Sequence, residues 1–316
     1  MSSAEPHLSR LRALAYRMLG VHAEAEDIVQ DVWARWLALP RGDVESPLGW
    51  LITATTRACI DRLRQLRRER ETYVGPWLPE PEIAAADPER SLEIADDLSV
   101  AFLLMLERLS PEERAAFLLH AAFDQGHAQI AAVLGKSEAS VRQLVHRAKS
   151  HIESERPRPN VDRTRARAVV QQFLEAWQSR DRARLLDVLR ADVTYTSDGG
   201  GRVAAATRIL SGAARVSRFL EGIYPKLPAD EQRIHRIVAG APGYLRVRQG
   251  RIVAAVAVET DADRVAAMYA VLNPDKLRSY RLEPTSQILA IADHDHPERP
   301  RNGRAGEAGA AWLQRA

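Results

Sequence analysis

Apolar positions recur at helical spacing through the first seventy residues. Leu11, Leu14, Ala15, Met18 and Leu19 make one stripe, and Ala25, Ile28, Val29, Val32, Trp36 and Leu37 make a second. Ser46 before Pro47 is an N-cap and first-turn pair that starts a third helix at Leu48, with Trp50, Leu51 and Ala54 turned inward. Trp33 and Trp36 fall near the apolar side and read as core. Residues 91–155 also read as helices, one of them announced by Ser110, Pro111, Glu112 and Glu113, a capping-box signature. After residue 160 the period changes. A helix over 163–178, carrying Val169, Val170, Phe173, Leu174 and Trp177, precedes strand-like runs at 193–196, 233–238, 244–247, 251–258 and 265–272. Gln249-Gly250 is a hairpin turn between two of them. The pattern predicts two all-α units, then an α+β domain with one curved antiparallel sheet and helices on one face.

Proline marks the breaks. Residues 72–90 hold Gly75, Pro76, Pro79, Pro81 and Pro88, through which no helix runs, because proline fixes φ and lacks a donor. A second break, Arg-Pro-Arg-Pro-Asn at 156–160, is extended and stiff. The expected division is 1–71, a linker at 72–90, 91–155, 161–282, and a loose tail at 283–316. The tail's His294 and His296, flanked by Asp293 and Asp295, read as solvated and not as metal ligands.

Composition narrows the class. At 316 residues the chain exceeds one small core, and 46% hydrophobic with 28% charged residues is a globular balance that excludes a disordered body. No apolar run reaches the roughly 20 residues of a membrane span and no signal-peptide core follows Met1, so the expectation is a cytoplasmic protein without membrane contact. Cys59 is the lone cysteine and reads as core: it has no disulfide partner and no metal-ligand set. Net charge is only +3, yet it is sorted along the chain, with acid at 24–31 and base at 57–70. That polarity suits a protein partner on one surface and phosphates on another.

The sharpest motif lies at residues 126–152. A short helix with Ile130, Ala131 and Leu134 inward ends at Gly135, and Ser137 caps a second helix. Along that helix Val141, Leu144, Val145, Ala148 and Ile152 form the apolar face. Ser140, Arg142, Gln143 and His146 project outward as candidates for base edges, with Arg147 and Lys149 for phosphate. This is the pattern of a helix-turn-helix. A helical hairpin with a solvated basic face satisfies the same spacing.

Further motifs occur in order: Ala15-Tyr16-Arg17-Met18-Leu19-Gly20, residues 25–33 reading AEDIVQDVW, Gly49-Trp50-Leu51, and residues 57–64 reading RACIDRLR. Together with the helix-turn-helix they resemble the extracytoplasmic-function sigma factors of RNA polymerase. Trp77-Leu78-Pro79-Glu80-Pro81, Asp198-Gly199-Gly200-Gly201-Arg202 and Asn273-Pro274-Asp275-Lys276-Leu277 resemble the signatures of a subgroup, often numbered forty-one, with a fused SnoaL-like domain. The resemblance implies a region 2 helical bundle, a region 4 helix-turn-helix and a cystatin-like cone, and it leaves the chain beyond about Tyr280 uncovered.

It also implies roles. Asp27, Gln30 and Asp31 would dock on core polymerase; Arg57, Arg62, Arg64 and Arg67 would track the separated strand at the minus-ten element. Base selection there would fall to the loop at 41–47. Residues 91–155, with Ser137 and the outer face of its helix, would read the minus-thirty-five element. The linker motif and the two motifs of the third segment would regulate in cis, with Arg202 paired to Glu80 and Trp77 buried on the sheet. The implied cofactor set is empty, and the implied class is not an enzyme. Two alternatives stay open: a one-component DNA-binding regulator with a small-molecule ligand in the third segment, and an isomerase or cyclase there. The latter needs a carboxylate base, for which Asp187, Asp192 and Asp198 are the nearest residues. Asp198 ahead of three glycines has a simpler explanation in turn formation.

Overall fold

The structure is a computed structural model that describes residues 7–39, 44, 46–83, 99–155, 163–261 and 263–280. The loop at 41–47 lies largely outside these residues, as do the connector at 156–160, the tail and its histidines. The chain divides into two compact units. The first comprises residues 1–72 and 101–157, so the two helical segments share it; the second comprises residues 73–100 and 158–316, which joins the proline linker to the third segment.

In the first unit α1 (Leu8–Leu19), α2 (His22–Ala38) and α3 (Pro47–Arg70) pack on one another. Gly20 ends α1 in the left-handed conformation, and the Ser46 hydroxyl accepts from the Gly49 amide to open α3. Leu11, Leu14, Met18, Val29, Val32, Leu51, Cys59 and Leu63 fill the core. Burial pushes the Cys59 thiol far above its ordinary range, which leaves it an apolar filler. The second stripe is narrower than its period implies. Leu37 is 64% exposed, and Trp33 and Trp36 are half-buried, Trp36 packing against Trp50 at 5.6 Å.

Four further helices complete this unit: α4 (Val100–Arg108), α5 (Pro111–Ala121), α6 (His127–Leu134) and α7 (Glu138–Glu155). The capping box is formed in full, with Glu113 Oε2 accepting from the Ser110 amide and Ser110 Oγ from the Glu113 amide.

In the second unit α8 (Arg163–Gln178), α9 (Arg182–Val188) and α10 (Ala213–Ile223) lie on a six-stranded sheet, with a short α11 (Pro274–Leu277) after its last strand. The strands are β1 (Leu189–Asp198), β2 (Leu210–Ser211), β3 (Glu231–Val238), β4 (Ala241–Arg248), β5 (Arg251–Asp261) and β6 (Arg264–Val271). Their order is β2-β1-β6-β5-β4-β3, and β1 runs parallel to β6. The sheet is thus mixed, where the pattern predicted an antiparallel one. A parallel pair needs a long crossover, and the chain between Asp198 and Arg264 supplies it through β2, α10 and the β3–β5 meander. Gln249 and Gly250, at φ 51° and 73°, make the expected primed turn between β4 and β5. Between sheet and helices lie Phe173, Trp177, Tyr195, Phe219, Tyr244, Val256 and Met268.

Candidate nucleic-acid interface and the linker clasp

The helix-turn-helix is built as its spacing requires. Gly135, at φ 64°, lets α6 turn sharply into α7. The Ser137 hydroxyl then accepts from the Ser140 amide, capping α7. Val141, Leu144, Val145, Ala148 and Ile152 are buried, whereas Ser140, Arg142, Gln143, His146, Arg147 and Lys149 are exposed on the opposite face. On α6 the buried positions are Ile130, Ala131 and Val133; Leu134, expected inward, is only half-buried. Two of the exposed cations have partners: Arg147 reaches Glu113 at 3.2 Å and Arg142 reaches Glu138 at 3.5 Å. Glu113 is held below the usual carboxylate range: burial opposes this, but hydrogen bonds from Ser110 and the charge of Arg147 outweigh it.

The acidic helix divides in two. Asp27, Gln30 and Asp31 are exposed, with Gln30 donating to Glu26 at 3.0 Å. Glu26 is bound by Arg12 through two hydrogen bonds, and Glu24 by Arg62 through two more at 2.6 Å. Glu24 and Glu26 are therefore neutralised by arginines of the same unit, and the exposed Asp27 and Asp31 carry the helix's outward charge.

None of the four arginines of the expected strand track stands free. Arg62 holds Glu24 and Glu69. Arg57 donates to the carbonyls of Val133 and Ala132, Arg67 to that of Leu109, and Arg64 reaches Glu112 at 3.1 Å. Arg70, which the pattern did not single out, bonds Glu107. Arg114, 2% exposed, donates to the Met18 carbonyl and to Glu107. No periodicity marks Arg114 as buried, because its partners lie on other helices.

In the second unit the three motifs at residues 77–81, 198–202 and 273–277 converge on one carboxylate. Asp198 is fully buried; it accepts from the Tyr73 hydroxyl at 2.6 Å, the Leu78 amide at 2.9 Å, the Gly200 amide at 3.0 Å and the Lys276 ammonium at 2.7 Å. Turn formation accounts for one of these bonds, so the simpler explanation of Asp198 falls short, and its tyrosine partner lies in the linker. Lys276 also donates to the Leu78 carbonyl and sits 4.2 Å from the Trp77 ring centroid. Trp77 is half-buried beside that ammonium; the residue that sinks into the domain is Leu78, at 0% exposure.

Two of the three glycines, Gly199 and Gly200, are required by contact. A Cβ on Gly199 would meet the Val203 carbonyl oxygen at 2.4 Å. One on Gly200, at φ 59°, would meet the Asn273 amide at 2.2 Å, and Asn273 itself donates to Tyr73. Asn273 caps α11 through the Asp275 amide, and Leu277 is buried. Arg202 pairs at 3.5 Å with Asp275 and not with Glu80, because Glu80 is buried and accepts from Ser279. Pro79 and Pro81 are buried too, and the Pro81 carbonyl accepts from Tyr280. The linker continues to Glu82 and Ile83, which bond the β3–β4 turn through Ala239 and Val238. Tyr73, Ser279 and Tyr280 had no motif to flag them.

Three family models match in order: sigma-70 region 2 at residues 4–69, sigma-70 region 4 at 99–152, and the SnoaL-like domain at 170–293. The chain is 34% identical over 91% of its length, and 97% of the relative's, to the ECF RNA polymerase sigma factor SigJ of Mycobacterium tuberculosis. It is 32% identical over 88% of its length, and 94% of the relative's, to the probable ECF sigma factor SigI of that organism. The crystal structure of SigJ superposes with a TM-score of 0.69 at 33% identity, covering 87% of this chain and 98% of that one. The chain therefore belongs to the ECF RNA polymerase sigma factors, among those that carry a SnoaL-like domain behind the two sigma regions.

Proposed function

We propose that this sigma factor binds core RNA polymerase through the exposed Asp27, Gln30 and Asp31 and initiates transcription at promoters that it reads twice. Region 4 reads the minus-thirty-five duplex with Ser140, Arg142, Gln143 and His146 at base edges, and Arg147 and Lys149 at phosphates. Region 2 holds the open minus-ten strand along Arg57, Arg62, Arg64 and Arg67. Such work belongs in the cytoplasm, where core polymerase and template meet; among the described residues no helix is long and apolar enough to cross a membrane.

The SnoaL-like domain acts in this reading as a clamp on the linker, not as a catalyst. The observation that carries it is the Asp198 carboxylate with its four donors, two of them from the linker. A general base for carbon acids needs a free carboxylate in an apolar pocket. Asp198 is committed to Lys276, Asp192 is bound by Arg190, and Asp187 is exposed. Whatever fixes residues 73–83 also limits how far regions 2 and 4 can separate, which is how the domain controls activity.

The test is run-off transcription with purified core polymerase. Wild type should initiate without another specificity factor, and Asp198→Ala should change promoter output while core binding persists. Failure of wild type to initiate on any genomic template would refute the sigma reading. An unchanged promoter profile for Asp198→Ala would refute the control in cis.

A further inference from the structure

Two polar groups on one face of β3 end without hydrogen-bond partners. Arg233 Nε and His235 Nε2 are both buried and bond nothing among the described residues. Buried polar atoms are ordinarily satisfied, since one left unmade costs the full loss of its hydration. In the sheet Arg233 lies opposite Arg246 and His235 opposite Tyr244, so both share the face on which Tyr244 packs against the helices.

The surroundings are cationic and aromatic. The Arg233 guanidinium lies 4.7 Å from the Trp177 ring centroid and 5.5 Å from that of Tyr224, just past α10. Arg180, in the turn between α8 and α9, lies 5.3 Å from the same Tyr224 ring. It sits at φ 55°, in the left-handed region where a helix exit ordinarily takes glycine. Arg167 of α8 adds a third charge, felt at His235. The one carboxylate on β3, Glu231, is held by Arg246 through two bonds at 2.6 and 2.7 Å. Among the described residues neither Arg180 nor Arg233 joins an ion pair. An arginine that merely covers an indole keeps its charged head in water. Here the Nε is buried, a second guanidinium meets the same tyrosine, and an unpartnered imidazole nitrogen stands two positions along the strand.

We propose that Arg180, Arg233 and His235 form a binding site for the carboxylate of a small organic acid. The Arg233 fork and His235 Nε2 donate to the carboxylate oxygens, Arg180 adds charge, and the Trp177 and Tyr224 rings take the apolar body. A phosphate is disfavoured, because the aromatic wall replaces little of its strong hydration. An anion against His235 favours the protonated ring, so binding takes up a proton and affinity rises as the pH falls. The groups that face this imidazole are Arg167 from α8, Arg233 along β3 and Tyr244 from β4; none of these residue types changes charge between about pH 5 and 8.

The test is calorimetric titration of the full chain with benzoate at fixed ionic strength. Benzoate should bind about tenfold more tightly than its uncharged isostere benzamide, and its affinity should rise from about pH 8 to about pH 6. Arg233→Gln should lower the affinity about tenfold, the worth of one charge-assisted hydrogen bond. Arg180→Gln, on an exposed side chain, should lower it severalfold and serves if the Arg233 variant does not fold. His235→Gln should keep binding at about pH 8 and lose the rise toward acid. Absent benzoate binding, equal affinity for benzamide or for inorganic phosphate, or an affinity that neither arginine variant changes would each overturn the site. A rise toward acid that survives His235→Gln would remove His235 from it.

Discussion

The Nζ of Lys276 lies 2.7 Å from a carboxylate oxygen of Asp198, with the two side chains 9% and 0% exposed. Both charges are buried, so each depends on the other, Asp198 also on the Tyr73 hydroxyl and the Leu78 amide that donate to it, and Lys276 on the Leu78 carbonyl that accepts from it. Breaking such a pair from one side leaves an uncompensated buried charge, which costs about 3–5 kcal/mol. Lys276→Met should therefore lose about that much unfolding free energy in urea titrations followed by tryptophan emission. The double variant with Asp198→Asn removes both charges and should lie much nearer wild type than the sum of the single losses. Additivity within about 0.5 kcal/mol would show that the two are uncoupled.

Gly200 makes a separate demand on the same clasp. Alanine there brings a Cβ to 2.2 Å from the Asn273 amide at a positive φ, so Asn273 must leave both Tyr73 and its cap on α11. Gly200→Ala should expose the linker and raise protease cleavage between Tyr73 and Ile83, while region 4 keeps its fold. Gly222→Ala is the control, since a Cβ there meets nothing within 4 Å. Equal cleavage rates for the two variants would show that the glycine loop does not hold the linker.

On α7 the exposed side chains separate by what each can contact. Arg142→Ala or Gln143→Ala should cost about 1–3 kcal/mol at one promoter position and relax the preference there. Lys149→Ala should weaken binding to all sequences and reduce the salt slope of log affinity by about 1. Holoenzyme binding to a minus-thirty-five duplex library at several salt concentrations reads both. A uniform loss for Arg142→Ala would move it from base edge to phosphate.

Local chemistry made the helical parts legible. The caps at Ser46, Ser110 and Ser137 each use a partner three residues away, and the α7 stripe repeats within one helix. The primed turn at Gln249-Gly250 is also a two-residue decision. Pairings across distance were not legible. Asp198 meets Tyr73 at a separation of 125 residues and Lys276 at 78, so motifs could be recognised without revealing the bonds between them. The parallel alignment of β1 with β6 depends on how the whole intervening chain returns, and β2 is only two residues long. Leu37 shows the limit of periodicity: its spacing fits the stripe, but among the described residues no neighbour covers that end of α2 and it stays exposed.

His235 supplies a pH dependence whose sign can be worked out. It lies on β3, half-buried, with its Nε2 lacking a hydrogen-bond partner among the described residues; burial first, and the charge of Arg167 second, push its pKa below the ordinary value near 6.5. Between the lowered folded value and the unfolded one, the unfolded chain binds more protons. Stability there rises with pH, so this contribution is present above about pH 6.5 and is lost as the pH falls toward the folded value. His235→Phe removes the titration and should flatten the slope of unfolding free energy between pH 5 and 7. Urea titrations of both proteins across that window measure it. Parallel slopes for variant and wild type would mean that the ring is hydrated in solution and that other groups set the acid sensitivity of the domain.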